Sequence, residues 1–518
     1  MLLIRNTVLR LKMAHPEWAL KHKTKGTELR NIGGRFYLYR VSSKWNKERK
    51  VTQKITHEMI GRITEEDGLL PKGTRKPKEA KPTFSPEALA NISTRESGAS
   101  SYLTGISEDV ISGLRKHFPD NYREIFALAL GRLLHQAPLK NMDFLYESSM
   151  LSEHYKDLDL SKNRLTTFMK ELGSDRTAIA DFMQGFVQGT SNIVFDTTHS
   201  ISKSEKMQLN QVGYNSTGSY EPQVNLFYMF ATDQQMPAYY RIFPGNITGM
   251  KALKLTIKEA GIKDACMVGD KGFSSDDNMN LFDEEDLQYV LPLKRNSRFV
   301  NYERLAAREY DKAFDGHFMH HDRPIFYYKY IHKEEKNGEM KERSVVIFQD
   351  PRLRNEEETS YLRRTENGSP DYTMDGFKEK QIAFGTMAMI YSLKSNEVDK
   401  EGNPIEISAQ KIYEKYKSRM EVETVFDTYK NLLQADRSYM QSDEAFEAWV
   451  FLNHIAIMLY YKIFNVIKSK NKLGKLSPKD LLMRLQRVTK IRIGTEWISA
   501  EVPRSSQIIF KELGIAVT

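Results

Sequence analysis

Between residues 192 and 293 the hydrophobic rhythm spells β-β-β-α-β-α-β, an order that few folds accept. Asn192–Thr198 is a short apolar strand closing on Asp-Thr-Thr. Val224–Thr232 and Ala238–Phe243 read as the next two strands, rich in aromatic and branched residues. Gly249–Gly261 then carries Leu253, Ile257 and Ala260 at helical spacing. Ala265–Asp270 and Gln288–Leu293 are further buried strands. The order predicts an α/β fold, a mixed sheet with helices on its faces.

Two of these strands end on aspartate. In a ribonuclease-H-like arrangement the first and fourth strands lie side by side and parallel. Their C-terminal ends would bring Asp196 and Asp270 together across a long separation in sequence. A third acid is offered by the predicted helix Ala409–Leu433, inside the pattern Y-x2-R-x3-E-x6-K: Tyr416, Arg419, Glu423 and Lys430. At helical pitch these side chains fall at about 0°, −60°, −20° and −40°, one stripe roughly 60° wide. Glu421 points elsewhere, at about 140°, and Asp427, at about 20°, is the runner-up to Glu423. Val422, Phe426, Tyr429 and Leu433 mark the buried face beside the stripe. Taken alone, this helix reads equally well as an ordinary amphipathic helix with i,i+4 ion pairs.

Three carboxylates without strong nitrogen or sulfur donors favour Mg²⁺ or Mn²⁺, so Asp196, Asp270 and Glu423 are candidate metal ligands and catalytic residues. Two such ions, about 3.5–4 Å apart, would activate an attacking oxygen and stabilise a leaving one. Arg419 and Lys430 could hold a phosphodiester beside them, and Tyr416 could bond to the same backbone. The net charge of +9 and pI of about 9.1 agree with a polyanionic partner, although ordinary solubility charge has the same signature. No Walker loop or G-x-S-x-G elbow is present, so ATP use and serine hydrolysis lack support. His317, His320 and His321 cluster without a cysteine or carboxylate pattern, which argues against zinc. His199 reads as a surface or capping histidine.

Around this core the chain divides into further segments. Residues 1–70 form a β-rich unit in which Arg35–Val41 and Val51–Ile63 are strand-like. Lys44, Lys47, Arg49, Lys50 and Lys54 make it a basic hairpin suited to DNA, or equally a solvated ribbon. Residues 71–86 are a proline-rich basic linker, and 87–190 are helical. Within the latter, Leu165, Phe168, Met169 and Leu172 define one helix, ended by Gly173, and Ile179, Phe182, Met183 and Phe186 define the next, capped by Asp175. A plain helical pair is favoured over a DNA-reading helix-turn-helix. The core occupies 191–295 and 407–470, with a β-rich insertion at 296–406 and a helical C-terminal region at 471–518. In the insertion, Ile325–Ile331 and Ser344–Phe348 pair around Asn337-Gly338, and 350–380 look loop-rich. Lys294, Arg295 and Arg298 follow the last core strand and could track a DNA backbone, with an ordinary basic loop as the competitor.

Cys266 is the single cysteine and reads as a small core residue, so a reducing cytosol is expected. Met1–Ile4 is too short for a signal peptide. Ala448–Ile467 is interrupted by Asn453, His454, Lys462 and Asn465 and fits a buried core helix better than a membrane span.

With Asp196 in I-V-F-D-T-T, Asp270 in V-G-D-K-G-F and the complete Tyr416/Arg419/Glu423/Lys430 signature, residues 190–465 resemble a DDE transposase of the insertion-sequence-four superfamily. The resemblance implies a ribonuclease-H-like core binding divalent metal, recognition of terminal inverted repeats in double-stranded DNA, cleavage at transposon ends and transfer to target DNA. It implies a homodimer in a two-ended DNA complex, cytoplasmic and nucleoid-associated when bound. Tyr416, Arg419 and Lys430 would contact DNA near the cleaved end, with Thr198 and Lys271 in supporting roles. A branch of this superfamily stacks a flipped base on an insertion-domain tryptophan. Here Trp18, Trp45, Trp449 and Trp497 all lie outside the insertion, leaving Phe299 or Tyr327 as substitutes. A metal-dependent nuclease and a non-catalytic DNA-binding protein on the same scaffold are the alternatives.

Overall fold

The computed structural model describes residues 15–47, 50–73, 92–213, 218, 220–247, 249–307, 309–336, 338–395, 401–402 and 405–516. Most of the 71–86 linker, Arg49, Asn337 and the Met1–Ile4 segment lie outside these residues. The chain forms two compact units, Met1–Ala90 and Asn91–Thr518.

The first unit is an antiparallel meander of β1 (Thr27–Ile32), β2 (Arg35–Asn46), β3 (Val51–Thr64) and β4 (Gly68–Pro71). Gly33 and Gly34 turn β1 into β2 at φ of +59° and +81°, backbone that glycine adopts without strain. Its core is small: Ala19, Leu29, Leu38 and Ile63. Of the basic residues noted above, Lys54 pairs with Glu28 at 2.7 Å.

The second unit is built on one large mixed sheet. It follows β5 (Ser93–Glu96), and its strands are β6 (Asn192–Ser202), β7 (Gln211–Val212), β8 (Pro222–Ala231), β9 (Met236–Pro244), β10 (Cys266–Val268) and β11 (Gln288–Pro292). The insertion adds β12 (Gly316–His320), β13 (Arg323–Lys336), β14 (Glu339–Gln349) and β15 (Thr386–Ser392), and β16 (Arg437–Ser438) closes the list. Across the core the order is β9-β8-β6-β10-β11; β6, β10 and β11 run parallel, and β8 is antiparallel to β6. The helices Gly249–Ala260 and Asp276–Glu284 make the two crossovers. The insertion strands continue this same sheet, because β15 pairs antiparallel with β11 and β14 with β15.

Beneath the sheet runs the helix Asp443–Ser469. By length and composition it could cross a membrane, but it is packed into the core. The polar residues that interrupt it are partnered: Asn453 Nδ2 donates to the Trp449 carbonyl at 2.7 Å, and His454 Nδ1 bonds to the Tyr228 hydroxyl at 2.5 Å. Full burial lowers the His454 pKa to about 3, so the ring is neutral. Cys266 is buried likewise, and its thiol is pushed up to about 11.

The helices Lys162–Ser174 and Arg176–Val187 form a pair that buries Leu165, Phe168, Phe182 and Met183, with Asp175 Oδ1 accepting from Ala178 N. Arg176 is held by Glu259 and Glu447. Gly173 does not end its helix. It sits inside it because the Glu444 carbonyl oxygen would lie 1.7 Å from any Cβ there.

Four further expectations change. The first strand does not close on Asp-Thr-Thr: β6 runs on to Ser202, paired to β8, and Asp196 lies mid-strand. Residues 350–380 hold the helices Pro351–Glu366 and Met374–Lys380 rather than loops; Asp350 caps the first from its side chain, with Pro351 in its first turn. The C-terminal region is not wholly helical: β17 (Thr489–Ile493) and β18 (Glu496–Ser499) form a hairpin that pairs with the early strand Ser93–Glu96. The expected helix Ala409–Leu433 is broken into Ala409–Lys417, Met420–Asp427 and a π turn at Thr428–Leu432.

Candidate active site

Parallel pairing fixes the first two acids. Cys266 stands beside Asn192 and Val268 beside Val194, so Asp196 and Asp270 each lie two residues beyond a matched pair. The V-G-D-K-G-F segment follows from packing. A Cβ at Gly269 would stand 2.5 Å from the Phe195 ring, and Phe273 meets that ring edge-on at 4.9 Å. Glycine lets the chain pass the ring, and Phe273 pins the turn that follows Asp270.

Glu423 arrives from the helix Met420–Asp427, whose Val422 and Val425 are buried. Asp196, Asp270 and Glu423 all line one cleft of about 850 Å³. Lys430, Phe426, Thr198 and His199 line it too, and Asn225, Phe243 and Gly245, on and after the neighbouring strands β8 and β9, complete its lining. Lys430 lies on the π turn; such turns recur at functional sites because they redirect a side chain without ending the helix. The four-residue stripe is therefore assembled by a broken helix.

Arg419 organises the acids. It donates from Nη1 to Asp196 Oδ2 at 3.1 Å and from Nη2 to Glu423 Oε1 at 2.5 Å. Burial works against the guanidinium charge, yet Asp270, Tyr416, Asp196 and Glu423 outweigh it and raise its pKa. Burial lifts Asp196 to about 6, and the charges of Asp270 and Glu423 add to this; the Thr197 N–H and Arg419 oppose it. Burial raises the Tyr416 hydroxyl, with Asp270 and Glu423 adding to it and Arg419 opposing. Lys430 is lowered by burial against the pull of Asp436 and Asp196, and His199 by burial and then Lys430. Among the described residues, no three His, Cys, Asp or Glu side chains stand close enough to hold one ion between them. The Arg419 guanidinium occupies the position between Asp196 and Glu423.

The competitors to Glu423 lie elsewhere. Asp427 is exposed and accepts from Asn431 Nδ2 at 2.6 Å, while Glu421 is raised by burial and faces Lys468. The basic residues after β11 are only partly available. Arg295 is paired to Glu357 at 2.9 Å, and Arg298 to Asp276 at 2.7 Å and Glu334 at 3.2 Å; Lys294 is exposed. Phe299 is buried under Arg298, and Tyr327 is half-buried. His317 meets Tyr310, and His320 meets His321. Lys271 is exposed and does not line the cleft.

Sequence reasoning missed the part of the lining supplied by β8 and the segment after β9. Asn225 is its clearest member: Nδ2 donates to the Gly245 and Ile247 carbonyls, each at 2.9 Å. A polar residue inside an apolar strand was the available signal. Thr198, given only a supporting role, turns a buried hydroxyl toward no hydrogen-bond partner among the described residues.

No curated protein matches this chain. Among solved structures, the chain is similar to a piggyBac transposase synaptic complex with hairpin DNA, at 13% identity and a TM-score of 0.35, over 71% of this chain and 70% of that one. The profile of the Transposase DDE domain matches residues 189–459, just over half of the chain, and spans every residue of the cleft named above. The chain therefore belongs to the Transposase DDE domain family.

Proposed function

We propose that this chain is an active cut-and-paste DNA transposase of the insertion-sequence-four type, with a ribonuclease-H-like core. The observation carrying this reading is the convergence of Asp196, Asp270 and Glu423, from three separate elements, on one cleft flanked by Arg419 and Lys430. The order β9-β8-β6-β10-β11, with three parallel strands and antiparallel β8 and β9, supports the core assignment.

The donor set suits a hard divalent cation. It consists of carboxylate oxygens, and Asp196, whose ionisation is opposed first by burial and then by Asp270 and Glu423, is a group that a cation would hold charged. Asp196, Asp270 and Glu423 would hold Mg²⁺ or Mn²⁺, two ions in number, once Arg419 turns from them to a phosphate. Bound ions would supply activation of the attacking oxygen and neutralisation of the leaving one.

Arg419 and Lys430 then orient the scissile phosphate, and Tyr416 bonds to the same backbone. Water attacks the phosphorus at the terminal inverted repeat, the P–O bond breaks, and a 3′-hydroxyl is freed. That hydroxyl next attacks a target phosphodiester and displaces its 3′-oxygen, so one P–O bond forms as another breaks. A homodimer holding two ends fits this sequence of steps. Lys294 is the member of the basic group after β11 without an ion-pair partner among the described residues and extends the DNA track; Arg295 and Arg298 join it only by giving up their acidic partners.

The test is incubation with paired terminal-repeat DNA, a target plasmid and Mg²⁺. Joined products are expected. Nicks without joining would indicate a nuclease, and binding alone a non-catalytic DNA-binding protein. Affinity for DNA is expected to fall steeply, by about 10³-fold or more between 50 and 200 mM salt, if six or more phosphates are contacted. A flat salt response would contradict backbone contact. Glu423→Gln is expected to abolish cleavage, whereas Asp427→Asn leaves it within about twofold. Equal losses in the two variants would remove Glu423 from the site.

A further inference from the structure

A second pocket, of about 500 Å³, lies between the helix Lys162–Ser174, the β16 segment and the start of the helix Asp443–Ser469. Its floor is apolar, made by Leu165, Met169 and Ala445, all buried, with Met440 beside them. Its rim carries Lys140, Lys162, Lys170 and Lys206, all exposed and without an ion-pair partner among the described residues. Tyr439 stands at the edge with 86% of its surface exposed. Lys162, Thr166 and Lys170 share one helix face at i, i+4 and i+8, the outward face of the helical pair. The nearby acids form no ion pair with the rim among the described residues: Asp443 accepts the Gln208 and Leu209 N–H groups, and Glu171 is paired to Arg164. Glu444 bonds chiefly to its own backbone N–H and to Ser442, and its charge offsets Lys170 in part.

An apolar floor, an exposed aromatic ring and a cationic rim suit one chemistry, a base with its phosphates. A duplex backbone would use the lysines but leave the floor and the ring idle. The pocket is also tied, through β16, to the strand that carries Asp196. Ser438 of β16 pairs with Ser202 of β6, six residues beyond Asp196, or roughly 20 Å along the strand. That span corresponds to about six nucleotide steps of a duplex.

We propose that this pocket binds an unpaired nucleotide of the DNA on which the cleft acts, the base lying against Tyr439 and its phosphates on the lysine rim. This rests on the DNA reading of the cleft.

The test uses the full chain with two fluorescent probes of equal length, a dT oligonucleotide and a blunt duplex, read by anisotropy. Tyr439→Ala is expected to weaken oligo-dT binding roughly tenfold or more, while duplex affinity stays within about twofold. The Lys162/Lys170/Lys206→Ala variant is expected to lower the salt slope for oligo-dT by about two. A 2-aminopurine placed in the oligonucleotide is expected to be quenched by the wild type and not by Tyr439→Ala. Unchanged oligo-dT affinity in Tyr439→Ala would overturn the proposal, as would equal losses on both probes, which indicate backbone contact only. Wild type that binds duplex but not oligo-dT overturns the pocket and leaves the cleft reading intact; wild type that binds neither probe removes both. Tyr439 is exposed, so an unchanged melting temperature confirms that the variant is folded.

Discussion

Asp196→Asn is expected to lose DNA cleavage by about 10³-fold or more while melting at a higher temperature than the wild type in EDTA. The two effects share one cause. Asp196 is largely buried, with 20% of its side chain exposed, and burial with two acidic neighbours raises it to about 6. Ionising it in the folded chain costs at most about 3 kcal/mol at neutral pH. Folding takes up a proton at this group, so the penalty is absent below about pH 4 and complete above about pH 6. Metal-free wild type should therefore lose stability as pH rises through that window, and the asparagine variant should not. DNA affinity in the variant should be retained, because Arg419 and Lys430 remain. Thermal melts in EDTA at pH 4, 5, 6 and 7, beside a cleavage assay in Mg²⁺, check both halves. Full cleavage by the variant would remove Asp196 from the chemistry, and parallel melting curves would remove the charge crowding.

Gly173→Ala and Gly185→Ala should move stability in opposite directions. Gly173 lies where the helices Lys162–Ser174 and Asp443–Ser469 meet, and an added Cβ would stand 1.7 Å from the Glu444 carbonyl oxygen and 2.9 Å from the Ala448 nitrogen. Both are backbone, so neither can rotate away. The expected loss is about 3 kcal/mol or more, by overpacking. Gly185 lies within the helix Arg176–Val187 with nothing within 4 Å of its Cβ position. There alanine is expected to gain about 0.5–1 kcal/mol by lowering backbone entropy in the unfolded chain. Chemical denaturation of both variants measures the pair. A tolerated Gly173→Ala would contradict the close helix crossing.

What the sequence made legible is what local rhythm encodes. The apolar runs leading to Asp196 and Asp270 were legible, but only Asp270 lies past the end of its strand; β6 continues through Asp196 to Ser202, because its later residues stay paired to β8, and the parallel pairing of the two runs follows from the crossover between them. The convergence of Tyr416, Arg419, Glu423 and Lys430 was read from ideal helical pitch, but the chain reaches it differently. The helix stops after Lys417, restarts at Met420, and turns through a π segment at Lys430. Such breaks depend on tertiary bonds, here Arg419 to Asp196, which periodicity cannot register. The pairing of β17 with Ser93–Glu96 is likewise invisible locally, because its partners lie at opposite ends of the chain. The helix Pro351–Glu366 had a cap signal in Asp350-Pro351, but it buries only Tyr361 and so carries no apolar stripe. Arg295 and Arg298 looked like a DNA track because their acidic partners are distant in sequence.

The most direct test of the central claim is the anomalous scattering of Mn²⁺ in crystals of this chain bound to a transposon-end DNA. The account predicts manganese peaks about 2.1–2.2 Å from carboxylate oxygens of Asp196, Asp270 and Glu423, with Arg419 turned to the scissile phosphate. Manganese bound away from these three acids, or a cleaved phosphate outside their cleft, would contradict it.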